Sequence, residues 1–383
     1  MMSIHKTPGS RTSLRVLHVV SGDLWAGAEV QVYQVLRAAC RQPGIDLHAV
    51  VLNPGMLSDR LATEGVAVTV LDESKHGFRM LARSVRALAQ DWQPNVVHTH
   101  RRKEHLLGAL VARTCGAGHV ATVHGRNEFQ HAWSDIRHTL LRVAERVVLA
   151  RACDRLIAVS EDLALELPGA QHHKVVIPNS VDVAAVREAA MFEPAGAMDE
   201  DRVHIGFMGR LVPVKQVDHM LNMMQRLEAS RPGQWALHLV GDGPLRSQLQ
   251  RLAVELGLEQ SVTFHGFLPN PLGLLAQMDL FLFASAHEGL PMTALEALSL
   301  GVPIVSPPID SIERLIAEAG LGAVAKSAHP THLADAVLAM QLQPRAERIL
   351  RPALLPKRYR IDHGMTLTIA LWQEVAGKRR RTR

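Results

Sequence analysis

Short apolar runs of strand length alternate with helix-like stretches along almost the whole chain, and the alternation is laid down twice. In the first half, residues 15–20, 47–52, 66–71, 96–98, 119–123 and 156–159 have strand character, and helical stretches at 29–40, 78–91, 103–115, 135–151 and 161–167 separate them. The second half repeats the scheme with strands at 203–208, 236–240, 262–265, 280–283 and 304–305 and helices near 217–229, 244–256, 292–300 and 331–340. Continuous apolar runs suit strands buried on both faces, which a parallel sheet clothed by helices provides. The pattern therefore predicts an α/β chain of two doubly wound, parallel-sheet domains. A length of 383 residues is too great for one core and sufficient for two.

The expected division places a first domain at 1–185, a linker at 186–200, a second domain at 201–360 and a final helix with a basic tail at 361–383. Pro194, Gly196 and the start of the acidic run Asp199-Glu200-Asp201 mark the linker. The final helix, around 363–375, has no strand of its own and is expected to cross back onto the first domain. Hydrophobic content of 47% with 21% charged residues is that of a globular protein. Residues 1–13 are polar, without an apolar core of signal-peptide length, and no stretch approaches the roughly 18 apolar residues of a membrane span, so a cytoplasmic location is expected.

Cys40, Cys115 and Cys153 are widely spaced and odd in number, which predicts reduced thiols. Among 21 histidines, His98-Thr99-His100 would place two imidazoles on one face of a strand, but no third ligand stands nearby in the sequence, so no metal is expected. The net charge of +5 points to an anionic partner; with aromatics at only 4%, nucleic acid is not expected to be that partner.

Chemistry concentrates in Ser285-Ala286-His287-Glu288-Gly289-Leu290-Pro291-Met292-Thr293-Ala294-Leu295-Glu296-Ala297, where two carboxylates stand eight positions apart across a loop-to-helix junction. Pro291 suits a helix start, because its ring presets φ and its missing N–H has no intrahelical partner there. The amides of Met292 and Thr293 would then face an anion such as a phosphate. By the same reading Glu288 sits in the loop and Glu296 about two turns into the helix, so the two would touch different parts of one extended ligand. An ordinary surface helix with two solvated glutamates accounts for the same letters. Gly209-Arg210 to Lys215 reads as strand end, glycine turn and two cations, candidates for a diphosphate at the carboxyl ends of the strands. An ordinary turn with solvated charges is the alternative there.

Taken in order, Asp23 to Glu29, Thr122-Val123-His124-Gly125, Ile177-Pro178-Asn179-Ser180-Val181-Asp182, Gly209-Arg210 with Lys215, and the Glu288–Glu296 pair resemble the retaining glycosyltransferases of family 4. Gly241-Asp242-Gly243-Pro244 and Val262 to Phe267 fill the usual places between them, and the resemblance covers nearly the whole chain. It implies the GT-B architecture, two Rossmann-like domains facing across a cleft with the last helix returning to the first. It also implies transfer of a sugar, with retention, from a nucleotide-diphosphate sugar to a saccharide or lipid-linked acceptor of the cell envelope, exopolysaccharide or lipopolysaccharide. The implied donor is held without a metal or other cofactor.

Carried over by position, the resemblance implies that Glu296 binds ribose and that Arg210 and Lys215 hold the diphosphate. Glu288 with Gly289, Leu290, Met292 and Thr293 would hold the donor sugar and phosphate, Phe264, Gly266, Phe267 and Leu268 would flank the base, and Gly209 would form the turn. His124 would face the donor sugar from the other domain, and Gly27 would let backbone approach the ligand. Ser180 and Ala26 stand where the family often has glycine.

Other classes fit less well. The first strand leads into Ser21-Gly22-Asp23-Leu24-Trp25-Ala26-Gly27, which is neither the Gly-x-Gly-x-x-Gly of a dinucleotide enzyme nor a P-loop. Asp199-Glu200-Asp201 has the letters of a metal-binding Asp-x-Asp but lies outside any strand end. A sugar-nucleotide epimerase on the same scaffold and a non-catalytic nucleotide-sugar-binding module remain as alternatives. The run 135–155 interleaves Arg137, Arg142, Arg146, Arg151 and Arg155 with Ile136, Leu140, Leu141, Val147 and Val148. An anionic membrane face on the inner side of the cytoplasmic membrane is one reading, and a core helix another.

Overall fold

A computed structural model describes residues 13–125, 136–192, 198–342 and 355–381. Seven parallel strands form the first sheet: β1 (Leu14–Val20), β2 (Ile45–Val51), β3 (Ala67–Val70), β4 (Val96–Thr99), β5 (Gly118–Val123), β6 (Arg155–Ala158) and β7 (Lys174–Val176). Their order is β3-β2-β1-β4-β5-β6-β7. Six more strands form the second: β8 (Val203–Met208), β9 (Trp235–Val240), β10 (Val262–Gly266), β11 (Leu280–Leu282), β12 (Ile304–Ser306) and β13 (Gly322–Val324). Their order is β10-β9-β8-β11-β12-β13, again with every pairing parallel. Each sheet reverses direction beside its first strand, at β1/β4 and at β8/β11, so each offers a crevice at the carboxyl ends of those strands.

The apolar runs became the central strands because both faces are covered. Ile205 and Phe207 of β8 face one core while Met208 faces another, and all three are buried. The edge strands β7 and β13 did not stand out in the sequence, since each is three residues long and only half-covered. Also unanticipated are the helices α2 (Met56–Thr63), α7 (Val183–Phe192), α10 (Leu272–Ala276) and α12 (Asp310–Ala319). Between them fall α1 (Gly27–Ala39), α3 (Phe78–Trp92), α4 (Arg102–Cys115), α5 (Ile136–Arg151), α6 (Glu161–Glu166), α8 (Val217–Ser230), α9 (Arg246–Glu255) and α11 (Met292–Ser299); α13 (Pro330–Ala339) follows α12. The stretch expected as linker therefore opens inside α7, whose Val183, Val186 and Ala190 pack into the core shared with Leu274 and Leu298 of the second domain.

The chain passes between the domains twice, side by side: Val181 N–H donates to Tyr359 O at 3.0 Å and Ile361 N–H to Val181 O at 2.9 Å. The last helix, α14 (Ile361–Arg381), returns to the first domain as expected and packs on α1, β1, β4 and β5. Trp372 is fully buried there with Met365, Leu371 and Val375. Val375 occupies the space above Gly118, where any Cβ would collide with it. Among the described residues no helix is long and apolar enough to cross a membrane.

Candidate active site

The carboxyl ends of β8, β9 and β11 supply three interlocked loops. After β8 the chain forms a short helical turn, Pro213–Lys215, and Val214 O accepts a hydrogen bond of 2.9 Å from Ala286 N–H in the loop after β11. After β9, Gly241 takes φ +127°, and a Cβ there would fall on the carbonyl oxygen of Gly209, so only glycine lets the two loops nest. Gly241 N–H in turn donates to Gly266 O at 2.7 Å, tying in the end of β10. Gly209 and Arg210 emerge half-buried at this junction.

Across it, Lys215 Nζ donates to both oxygens of Glu288, at 2.6 and 2.9 Å, and Ser285 Oγ–H donates to Glu288 Oε1 at 2.6 Å. Both side chains are largely enclosed, at 16% and 9% exposure, so the pair is shielded enough to hold a set geometry. Glu296 is different. It projects from the second turn of α11, no cation pairs with it among the described residues, and burial pushes its carboxyl up to about 7. The two carboxylates that the sequence set eight positions apart are thus an ion-paired one in the loop and an unpaired one in the helix. The helix itself opens at Met292, one residue past an extended Pro291.

The first domain closes onto this loop at two points. A Cβ on Gly289 would collide with the carbonyl oxygen of His124, so the absence of a side chain permits the contact. Asn179 Nδ2–H donates to Leu290 O at 2.7 Å. Gly27 begins α1 opposite Met292, whose Cγ would lie 3.9 Å from a Cβ at that position. Gly266 takes φ +73°, Phe264 is half-buried, Phe267 is 49% exposed and Leu268 packs against the core beneath. These four therefore line an open edge of the second sheet, close to Arg246, which pairs with Asp242 at 3.0 Å.

His124 differs most from its expected pose. Its imidazole turns down into the first domain, where His100 Nδ1 lies 3.2 Å from His124 Nε2, while its backbone meets the loop after β11. His100 Nε2 in turn lies 3.1 Å from His18 Nδ1. Burial holds His18 and His100 well below the ordinary histidine range and lowers His124 to about 3, helped by the Arg101 charge and opposed by Asn179.

Because His18, His98 and His100 have nitrogens within 4.8 Å of one another, they are the grouping of possible metal ligands among the described residues. Five of their six nitrogens already have partners. His98 Nε2 meets Thr122 Oγ1 and His98 Nδ1 accepts from Trp372 Nε1–H, while both His100 nitrogens and His18 Nδ1 belong to the imidazole chain. A metal would have to break those bonds, so the residues fit a hydrogen-bonded column better than a coordination site.

Several residues were given no role in the sequence reading: Ser285, Asn179 and Glu29, which stood unassigned within its motifs, and His18, which it did not name; the buried Glu29 meets Arg101 at 2.5 Å, and burial lifts its carboxyl to about 7. The signal for His18 was its place on β1 beside His98 of β4, which becomes visible only when the strands are paired.

Residues 25–185 match Glycosyltransferase Family 4 and residues 192–352 match Glycosyl transferases group 1. The 2-deoxystreptamine N-acetyl-D-glucosaminyltransferase of Streptomyces fradiae is 28% identical over 313 residues, covering 74% of each chain. EpsF of Bacillus subtilis (strain 168), a putative glycosyltransferase, is 29% identical over 332 residues, covering 82% of this chain and 83% of its own. In fold, the chain is similar to Anabaena Alr3699/HepE in complex with UDP and glucose, with a TM-score of 0.75 at 19% identity over 94% of this chain and 100% of that one. It is also similar to the lipopolysaccharide outer core galactosyltransferase WaaB, with a TM-score of 0.67 at 17% identity over 94% and 99%.

Proposed function

Since the chain belongs to the group 1 glycosyltransferases of family 4, we propose that it moves a sugar, with retention, from a nucleotide-diphosphate sugar bound on the second domain to an acceptor held by the first. The observation that carries this reading is the division of labour between the two glutamates. Unpaired Glu296 suits the ribose hydroxyls, whereas Glu288 is occupied by Lys215 and Ser285 and suits orientation of the donor sugar.

Breaking the anomeric C–O bond develops positive charge on the sugar and negative charge on the diphosphate. Arg210 and Lys215 follow β8 and the amides opening α11 follow β11, and positive charge and oriented dipoles at those neighbouring strand ends would stabilise the leaving diphosphate. This arrangement needs no metal ion, and activity is expected to survive a chelator. With the leaving phosphate on the face from which the acceptor hydroxyl attacks, that phosphate can take the hydroxyl proton, and the configuration is kept.

We assign the acceptor to the saccharide or lipid-linked class of envelope and exopolysaccharide assembly. Curated relatives include enzymes that glycosylate 2-deoxystreptamine as well as a lipopolysaccharide 1,6-galactosyltransferase, so a soluble cyclitol acceptor belongs in the same screen. Membrane attachment through α5 is supported by Leu140, Val143 and Val147, exposed at helical spacing beside exposed Arg146 and Arg151. Glu145 does not interrupt that face, because it pairs with Arg102 at 2.7 Å. Flotation with anionic but not zwitterionic vesicles is expected, and equal recovery from both removes the membrane reading.

The deciding experiment is a nucleotide-sugar panel read by thermal shift, followed by acceptor addition to the stabilising donor. Diphosphate release on adding acceptor supports transfer, epimerised donor supports the epimerase, and binding without turnover supports the binding module. Lys215→Ala and Arg210→Ala are each expected to lower turnover by roughly a hundredfold or more with the fold intact.

A further inference from the structure

From the imidazole column beneath the cleft we infer that His100 and His18 are positioning residues of the transfer reaction, setting the tautomer and pose of His124. The inference rests on the transferase reading only for its kinetic readout. Its basis is a continuous path: Trp372 of the returning helix lies edge-on to His18 at 5.5 Å, His18 meets His100, His100 meets His124, and the His124 carbonyl abuts Gly289 beside Glu288. Neither nitrogen of His124 is open to the cleft, since Nε2 is turned to His100 and Nδ1 is buried. The ring therefore supports the His124-Gly125 turn from below, and the turn in turn supports the donor loop.

The column has a definite hydrogen register. Three neutral rings share two hydrogen bonds, so either every ring is protonated at Nδ1 or every ring at Nε2. At one end, the Leu290 carbonyl can only accept, which fixes the Asn179 carboxamide with Nδ2 toward Leu290. Asn179 Oδ1 and His124 Nδ1 are then two buried atoms without any other partner on neighbouring side chains, and an N–H at His124 Nδ1 facing that oxygen is the arrangement that lets each serve the other. At the other end, His18 Nε2 is buried without a partner, and leaving a lone pair unmatched there costs less than stranding an N–H. Both ends select Nδ1–H throughout: His18 donates to His100, His100 to His124, and His124 toward Asn179. The neighbouring His98 is protonated at Nε2 instead, because Trp372 N–H occupies its Nδ1.

Two measurements test this. In the intact protein labelled with ¹⁵N-histidine, the imidazole nitrogen shifts are expected to give neutral Nδ1–H rings for His18, His100 and His124 and a neutral Nε2–H ring for His98. A charged ring or an Nε2–H tautomer at His100 or His124 overturns the register, whether or not the protein transfers a sugar. In steady-state kinetics His100→Phe, which keeps a planar ring but removes both hydrogen bonds, is expected to lower kcat by about tenfold or more with donor KM within about threefold. His100→Gln, which can both donate and accept, is expected to recover kcat to within about threefold of the parent. Parental kcat in His100→Phe, or a loss that His100→Gln shares in full, overturns the positioning role. Should His100→Phe not fold, the labelled wild-type protein and His100→Gln carry the test: a His100→Gln kcat far below the parent's then counts against it.

Discussion

A carboxylate whose oxygens are already engaged cannot give or take a proton without releasing its partners, and Glu288 holds Lys215 with both oxygens and Ser285 with one. Glu296 has no such restraint, and its carboxyl sits near 7 because burial disfavours its charged form. Identical side chains eight positions apart thus differ through their surroundings alone. A ribose bound by its two hydroxyls needs the carboxylate, so donor binding should expel a proton from Glu296. Affinity is then expected to weaken as pH falls below about 7, by up to about tenfold per unit, in calorimetric titration with a nucleotide-diphosphate sugar. Glu296→Gln should flatten the profile, and a wild-type profile already flat between about pH 5.5 and 8 refutes the assignment. The eight-residue spacing was legible in the sequence. The difference in pairing was not, since it depends on Lys215, seventy-three positions before Glu288, arriving at that glutamate and not at Glu296.

Among the elements, the loop after β11 is the one on which both domains bear. It is fastened to its own domain through Ala286 and Val214 and to the other through Leu290 and Asn179, and at Gly289 the backbone of His124 leaves no room for a side chain. Gly289→Ala is therefore expected to push the loop off the first domain and lower kcat by at least about tenfold, since displacement by an ångström at a reacting centre has effects of that size. Because Gly289 does not require a positive φ, the substitution should leave the melting temperature of the unliganded protein within a few degrees. A variant with parental turnover would show that the contact does not matter. Glycine, proline and the apolar run before them announced this strand-to-helix turn in the sequence. What the turn meets could not be read there, because His124 belongs to the other sheet. The edge strands β7 and β13 and the helix α2 were missed for a different reason: short or half-exposed elements carry too few apolar positions to establish a period. The helix α7 is apolar enough, but the Pro194, Gly196 and acidic residues after it drew its span into the expected linker.

The whole molecule keeps a set of buried titratable groups neutral, with consequences for its response to acid. His18, His98, His100, His105 and His124 are all depressed chiefly by burial, and a depressed histidine contributes stability above its unfolded value of 6.5 that is lost as pH falls below it. Glu29, Glu104 and Glu296 are raised and act in the opposite sense, favouring the fold as pH falls, for Glu29 and Glu296 from about 7 toward 4.5. The histidines outnumber them, so denaturant midpoints should drop on acidification below about 6.5 more steeply than the carboxyls offset. A midpoint that holds or rises down to about pH 5 would show that these histidines are not neutral and buried in solution. Trp372 is central to the same assembly. It is fully buried in the first-domain core although it lies near the end of the chain, and Trp372→Ala is expected to cost about 3–5 kcal/mol in urea denaturation. The sequence by itself determined the class of fold, the doubling of the sheet, the return of the last helix and the segments that make up the candidate site, because periodicity, glycine turns and charge are local properties of a chain. Only the tertiary structure decided which glutamate is paired, where His124 points and how His18 and His100 become neighbours in one column of rings. Those outcomes depend on which strands lie side by side, and strand order is set by packing two faces of a sheet at once.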